Sequence, residues 1–357
     1  MKNARIYAYA CTLLFLLIGF TACNGQEKSA EEKQPIGESL TTFELPAEQQ
    51  IAGYIRQIYQ DKNGNYWFGT NGFGVAHYNG DSIHYYSNEQ GFAGQQVTGL
   101  VEDPEQNIWF ATDQGAVKYD WSTNEAGDER FTNYAAEQHF GGQRLWSVFA
   151  DSKGTVWAGG VTAVFRFDGE NWTAFELPYP EEFSGDFITK GTTWCITEDR
   201  AGNIWFSTNG FGAYQYDGES FTQYTTEDGL TDDHVDVILA DSQGNMWFGT
   251  RFGGVSRFDG EQFRNFTQRN GSIDNDEVCH IYEDQRGNIW FSSEGYGVYR
   301  YDGTELTNYS LKEGLGVRAV QAIFEDRDGR LWAGGGGGLY RLGGDSFINV
   351  TKDGPWE

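Results

Sequence analysis

Seven tryptophans stand in one frame along the chain, at Trp67, Trp109, Trp157, Trp205, Trp247, Trp290 and Trp332, spaced 42, 48, 48, 42, 43 and 42 residues apart. Each follows an aspartate by six residues: Asp61, Asp103, Asp151, Asp199, Asp241, Asp284 and Asp326. Self-similarity at this period means one supersecondary unit repeated, and a unit this small cannot bury both of its faces alone. The repeat therefore dictates stacking of like units, and it dominates every other reading of the chain.

The text around the tryptophans shows what the unit is. "VDVILADSQGNMWFGTRFGGVSRFDGEQFRNF" (235–266) and "VCHIYEDQRGNIWFSSEGYGVYRYDGTELTNY" (278–309) align almost without gaps, and each contains four short apolar runs separated by turns. Asn-Gly or Asp-Gly before the last run (Asn79-Gly80, Asp168-Gly169, Asp217-Gly218, Asp259-Gly260, Asp302-Gly303) signals a tight hairpin. With 48 glycines, 16 % aromatics and only 6 prolines, the composition suits many short strands. The expectation is an all-β fold: a seven-bladed β-propeller of four-stranded antiparallel blades, spanning 40–357. The recurring Trp is expected between neighbouring blades. Both "TTFEL" (Thr41 to Leu45) and "SFINV" (Ser346 to Val350) read as candidates for the outermost strand of the last blade.

The first residues read as an address. Lys2 and Arg5 precede an apolar run ending near Phe20, too short for a comfortable membrane span, and "FTAC" (Phe20 to Cys23) closes it. This ending resembles a bacterial lipobox, which implies a signal peptide over 1–22 and lipidation of Cys23. Residues 23–39 are polar and without apolar periodicity, as a flexible tether would be. The expected location is the bacterial cell envelope, with the lipid as the only membrane contact. Of the remaining thiols, Cys195 and Cys279 lie two repeats apart, so no disulfide is expected. A formal charge of −27 argues against nucleic acid as a partner, because phosphate binding needs clustered Lys and Arg.

The stretch "GLTDDHVDVILADSQGNMWFGTRFGGVSRFDG" (229–260) resembles the two-component regulator propeller repeat, and the resemblance extends with gaps over Ile51 to Thr351. It implies the propeller fold and, through the family's extracytoplasmic sensor domains, ligand sensing, often of glycans. Unlike the signalling members, this chain shows no kinase and no immunoglobulin-like output module after its repeats.

In a four-stranded meander the turns after the second strand and the connections between blades emerge on one face, which is where variable binding loops are expected. That face should present Asn71 and Phe73, Asn209 and Phe211, Arg251 and Phe252, and Glu294 and Tyr296, with each aromatic flanked by glycine. Where other repeats have Arg56, Thr98, Asp236 or Gln321, the third and fourth have Trp146 and Trp194; Arg144, His234 and Glu277 precede the equivalent strands. Aromatic rings beside amides, guanidinium groups and carboxylates suit stacking on sugars and hydrogen bonding to hydroxyls, or recognition of a peptide. The expected partner is an extracellular small molecule or glycan, bound by a monomer, with an envelope protein as the alternative. No metal or other cofactor and no catalysis is expected, because none of the five histidines sits in a recognisable catalytic motif. A metal-assisted lyase of the streptogramin type, using His234 or His280, is the remaining alternative. The "DKNGN"-type turns lack the ligands of a calcium loop and read as aspartates capping their own turns.

Overall fold

In a computed structural model that describes residues 49–121, 130–180, 192–317 and 319–356, each repeat forms one sheet of four antiparallel strands, paired in chain order. Blade 1 runs Ile55–Gln60, Tyr66–Thr70, Val75–Tyr78 and Ile83–Tyr86. The innermost strands of the other six are Val97–Glu102, Leu145–Ala150, Ile196–Glu198, Val235–Ala240, Ile281–Glu283 and Val320–Glu325. These pack side by side in sequence order, and the last returns to the first, so the seven blades close into a ring around a channel. Among the described residues the helical pieces are short, as in Ala136–His139 between blades 2 and 3, and none is long and apolar enough to cross a membrane.

The Asp–Trp pair of every repeat is a hydrogen-bonded clamp. The indole N–H of Trp67, Trp109, Trp157, Trp205, Trp247, Trp290 and Trp332 donates to Oδ2 of the aspartate six residues earlier, at 2.7–2.9 Å. The other oxygen closes the turn between the first two strands: Asp241 Oδ1, for example, accepts the backbone N–H of Gln243 at 2.9 Å and of Asn245 at 2.7 Å. One carboxylate thus ties a turn to a side chain, a role beyond the turn capping expected of it. The Asp-Gly hairpins between the last two strands use a carboxylate as well. Only the glycine takes a positive φ (98° at Gly260), while Asp259 Oδ1 accepts the N–H groups of Glu261 and Gln262.

The clamped indoles are at most 3 % exposed and meet the next blade. Trp67 lies 5.7 Å from Phe110, Trp157 5.7 Å from Phe206, Trp205 5.8 Å from Phe248 and Trp247 5.8 Å from Tyr301, centroid to centroid. Two residues beyond Trp247 the sheets approach closely enough that a side chain is excluded; a Cβ on Gly249 would stand 2.6 Å from Val237 Cγ1 and 2.9 Å from Val278 Cγ1 in the next blade. Polar contacts reinforce the turn-bearing end, where Ser242 N donates to Glu283 of the following blade at 2.6 Å.

Ring closure uses the same contacts and adds the chain ends. Trp332 packs on Tyr66 at 5.5 Å, and the Tyr66 hydroxyl donates to Asp326 at 2.7 Å. The last blade takes its own outer strand, Ser346–Val350, paired with Gly338–Gly343. Beyond it, Lys352 N donates to Gln49 O at 3.1 Å, and Trp356 stacks on Tyr78 of blade 1 at 3.9 Å and 13°. The candidate strand Thr41 to Leu45, the tether, Cys23 and the leader lie outside the described residues.

Removing the clamp leaves a buried indole N–H and turn amides without acceptors, so Asp241→Ala is expected to cost about 3 kcal/mol in urea-induced unfolding, and Trp247→Phe less. At Asp199, burial alone would raise the carboxyl pKa, but donors from Trp205, Asn203 and Gln215 outweigh it and hold it low. A depressed carboxyl contributes stability that is complete above its unfolded pKa and is lost as pH falls through the folded one. Asp199→Asn should therefore show a shallower stability decline than the wild type below about pH 4.

Candidate binding site at the channel mouth

Five inner strands begin with a β-bulge, and the extra residue is always the one five positions before the clamp aspartate. Pairing in blade 1 runs from Ile55↔Thr70 to Gln57↔Gly69, skipping Arg56. The same step skips Thr98, Trp146, Asp236 and Gln321. A bulged residue leaves the ladder and is re-aimed, here at the entry to the channel. Blades 4 and 6 solve the geometry differently. They carry Ser207 and Ser292 where the other blades have glycine or alanine, and these hydroxyls accept the N–H groups of Cys195 at 2.8 Å and of Cys279 and His280 at 3.0 Å. Their ladders start late, which leaves Trp194 and Cys279 at the corresponding place.

Four of the expected residues meet in one connected group at this entry. Trp146 and Trp194 meet with centroids 4.5 Å apart, tilted by 52°. The Arg144 guanidinium lies 4.0 Å over Trp146 and donates to Gln96 Oε1 at 2.7 Å. On the other side the Arg251 guanidinium lies 5.0 Å from the Trp194 ring and grips Asp236 with two hydrogen bonds, 2.9 and 3.1 Å. Burial pushes the Asp236 carboxyl up while the Arg251 charge pulls it down. The product is a ladder of guanidinium, indole, indole and guanidinium across blades 3 to 5.

The other expected residues divide. Phe73 and Phe252 are 62 % exposed and Tyr296 47 %, so these three aromatics stand on the face as anticipated. Phe211 does not: it is 8 % exposed, because Tyr179, in the long connection after blade 3, covers its ring at 5.1 Å. Flanking glycines alone could not reveal that cover. Asn71 and Asn209 are turn residues bridged to Gln96 and His234, and Asn209 is only 4 % exposed. The His234 ring is held by Asp232 at 2.8 Å and meets Phe252 edge-on at 5.3 Å. His280 falls in the register of Gln57, Ser147 and Cys195, whose side chains reach the next blade; burial lowers its pKa to about 4. At Glu294, burial and then the Glu277 charge raise the carboxyl to about 7.

Arg56, Asp236 and Gln96 were not among the expected site residues. The signal for the first two was present, five residues before each clamp aspartate, but only the bulge shows where that position points. Polar atoms around the mouth are also unsatisfied: Arg56 Nε, Asn71 Oδ1, Arg144 Nε, Trp194 Nε1 and Asn209 Oδ1 are buried without a hydrogen-bond partner among the described residues. A recess of about 480 Å³ lies at the opposite end of the channel among Tyr59, Glu102, Asp103, Ser152 and Glu198. There the polar groups largely serve each other, with Tyr59 donating to Glu102 at 2.8 Å and Ser152 donating twice to Glu198. No group of three or more His, Cys, Asp or Glu side chains is placed to hold a metal ion among the described residues, and neither Cys195 nor Cys279 is in a disulfide.

Six segments, 49–72, 91–114, 188–210, 229–252, 272–295 and 314–337, match the family described as two component regulator propeller. They correspond to every blade but the third. No curated protein matches the sequence. Among solved structures, the extracellular domain of the putative hybrid two component system BT3049 from B. thetaiotaomicron is 21 % identical with a TM-score of 0.56, over 78 % of this chain and 44 % of that one. A virginiamycin B lyase from Staphylococcus aureus is 14 % identical with a TM-score of 0.64, over 83 % and 96 %. PorZ, a surface component of the type-IX secretion system of Porphyromonas gingivalis, is 12 % identical with a TM-score of 0.60, over 81 % and 46 %. The chain thus spans about half the length of the two-component relative, and at these identities the likeness is one of fold.

A carboxyl raised by folding loses stability as pH rises from its unfolded pKa to its folded one. For Glu294 that window runs from 4.5 to about 7. Glu294→Gln should remove this decline, so that its stability advantage over the wild type grows across the window and then levels off in denaturant titrations at fixed pH.

Proposed function

We propose that this chain, which belongs to the two component regulator propeller family, is a non-catalytic binding propeller of the cell envelope that recognises a ligand at its channel mouth, with a glycan as the ligand class. The observation that carries the reading is the Arg144–Trp146–Trp194–Arg251 ladder set among buried polar atoms that lack partners. Indole faces supply stacking area for a sugar ring, and the unpaired N–H and C=O groups supply directional contacts that a hydroxylated ligand satisfies. Related propellers in an extracellular sensor domain and in a secretion-system surface component support sensing or interaction as the general task. The lyase reading draws on fold alone, and its two candidate histidines are held in different settings.

A protein partner is the second reading, favoured by exposed Phe73, Phe252 and Tyr296 on the same face. Attachment to a membrane through a lipid on Cys23 belongs to the same proposal. The mature protein is expected to bind at least one member of a broad oligosaccharide panel by calorimetry, and Trp146→Ala and Trp194→Ala each to weaken that binding at least tenfold. Silence across the panel, together with cross-linking to a protein through Phe73 or Phe252, would replace the glycan by a protein. In cells, metabolic labelling with a fatty acid should mark the wild type and not Cys23→Ala.

A further inference from the structure

We propose that the ligand of the channel mouth is an anionic sugar whose carboxylate or sulfate group is held between Arg56 and Arg144. This rests on the glycan reading above and narrows it. The chain carries 52 acidic residues against 25 Lys and Arg. Arg251 has Asp236 and Arg330 has Asp326. Arg56 and Arg144 have no carboxylate in ion-pair contact among the described residues, although both are half-buried.

The two arginines belong to different blades and share the channel entry. Arg56 is the bulge residue of blade 1, with its guanidinium 5.4 Å from the Tyr54 ring and its Nε buried without a partner. Arg144 leads into the bulge of blade 3, over Trp146, with one nitrogen on Gln96 and its own Nε unpartnered. Burial lowers the pKa of both, and at Arg144 the pull of Asp113 opposes a repulsion from Arg56. Asp113 is itself committed, since its Oδ1 accepts the N–H groups of Gln95 and Gln96 at 2.9 and 3.0 Å.

Partly buried guanidinium groups that lack an ion pair are costly, and such costs persist where a bound group of opposite charge relieves them. A carboxylate or sulfate offers several acceptor oxygens to guanidinium forks. The indoles of Trp146 and Trp194 beside Arg144 offer the sugar ring a stacking surface. Across the mouth on blade 6 stand Glu277 and Glu294, and the raised pKa of Glu294 limits the negative charge that an anion meets there.

The test uses the mature protein with glucuronate, glucose 6-sulfate and glucose as probes, read by ligand-observed NMR titration. Binding of glucuronate or the sulfate, at least tenfold tighter than glucose and weakened tenfold or more by Arg56→Met or Arg144→Met, is expected; which of the two binds identifies the anion. The ligand-free variants should melt no lower than the wild type, because an unpaired charge has been removed. If a variant fails to fold, the wild type still decides: its binding of the anionic sugar must weaken steeply as sodium chloride is raised. Equal binding of glucose and glucuronate that depends on Trp146 would overturn this inference and leave the glycan reading intact. Binding of none of the three, with arginine-dependent binding of a tripeptide carboxylate instead, would overturn both.

Discussion

The hydrogen bond from each repeat tryptophan to its aspartate is the interaction on which the rest of this propeller depends. It fixes a turn with one carboxylate oxygen and an indole with the other, so the largest side chain of each sheet arrives at the blade interface already oriented. An unclamped indole would need to spend conformational freedom and bury an unsatisfied N–H at the same moment. The clamp removes both costs within a segment of seven residues, before neighbouring blades meet. Asp–Trp pairs placed 42 to 48 residues apart then give every interface the same anchor.

From that anchor the backbone toward the channel is free to vary. Where the residue after the indole's neighbour is glycine or alanine, the inner strand bulges; where it is Ser207 or Ser292, a hydroxyl takes the strand's N–H groups instead. Either device takes one position per blade out of the ladder and turns it to the channel entry. Arg56, Thr98, Trp146, Trp194, Asp236, Cys279 and Gln321 share that position and almost no chemistry. Uniformity at the clamp and diversity five residues earlier mark the division between scaffold and site.

The electrostatics of the mouth follow the same division. At the turn-bearing end Glu283 accepts from both the N–H and the hydroxyl of Ser242. At the mouth, Arg251 is paired with Asp236, Arg144 feels the pull of Asp113 against the charge of Arg56, and burial followed by the Glu277 charge raises the pKa of Glu294. A scaffold concerned only with stability would exchange these groups for apolar ones.

Fold class, blade number, strand order and blade boundaries were legible in the sequence, because each is set by local and periodic features: a turn, an indole, alternating strands and a repeat length. The face carrying the blade-to-blade connections was legible too, since the meander sends the same connections to the same side. The sequence also placed Arg144, Trp146, Trp194 and Arg251 on that face without showing that they touch. Three things were decided only by tertiary structure. Tyr179 covers Phe211 from a long connection whose path no local pattern encodes. Ser346–Val350 completes the last blade and Trp356 reaches back to Tyr78, because closure depends on where two distant ends meet. Most of all, the bulge turns one residue per strand out of register, and whether Arg56 then finds a counter-charge depends on the six other blades around the ring.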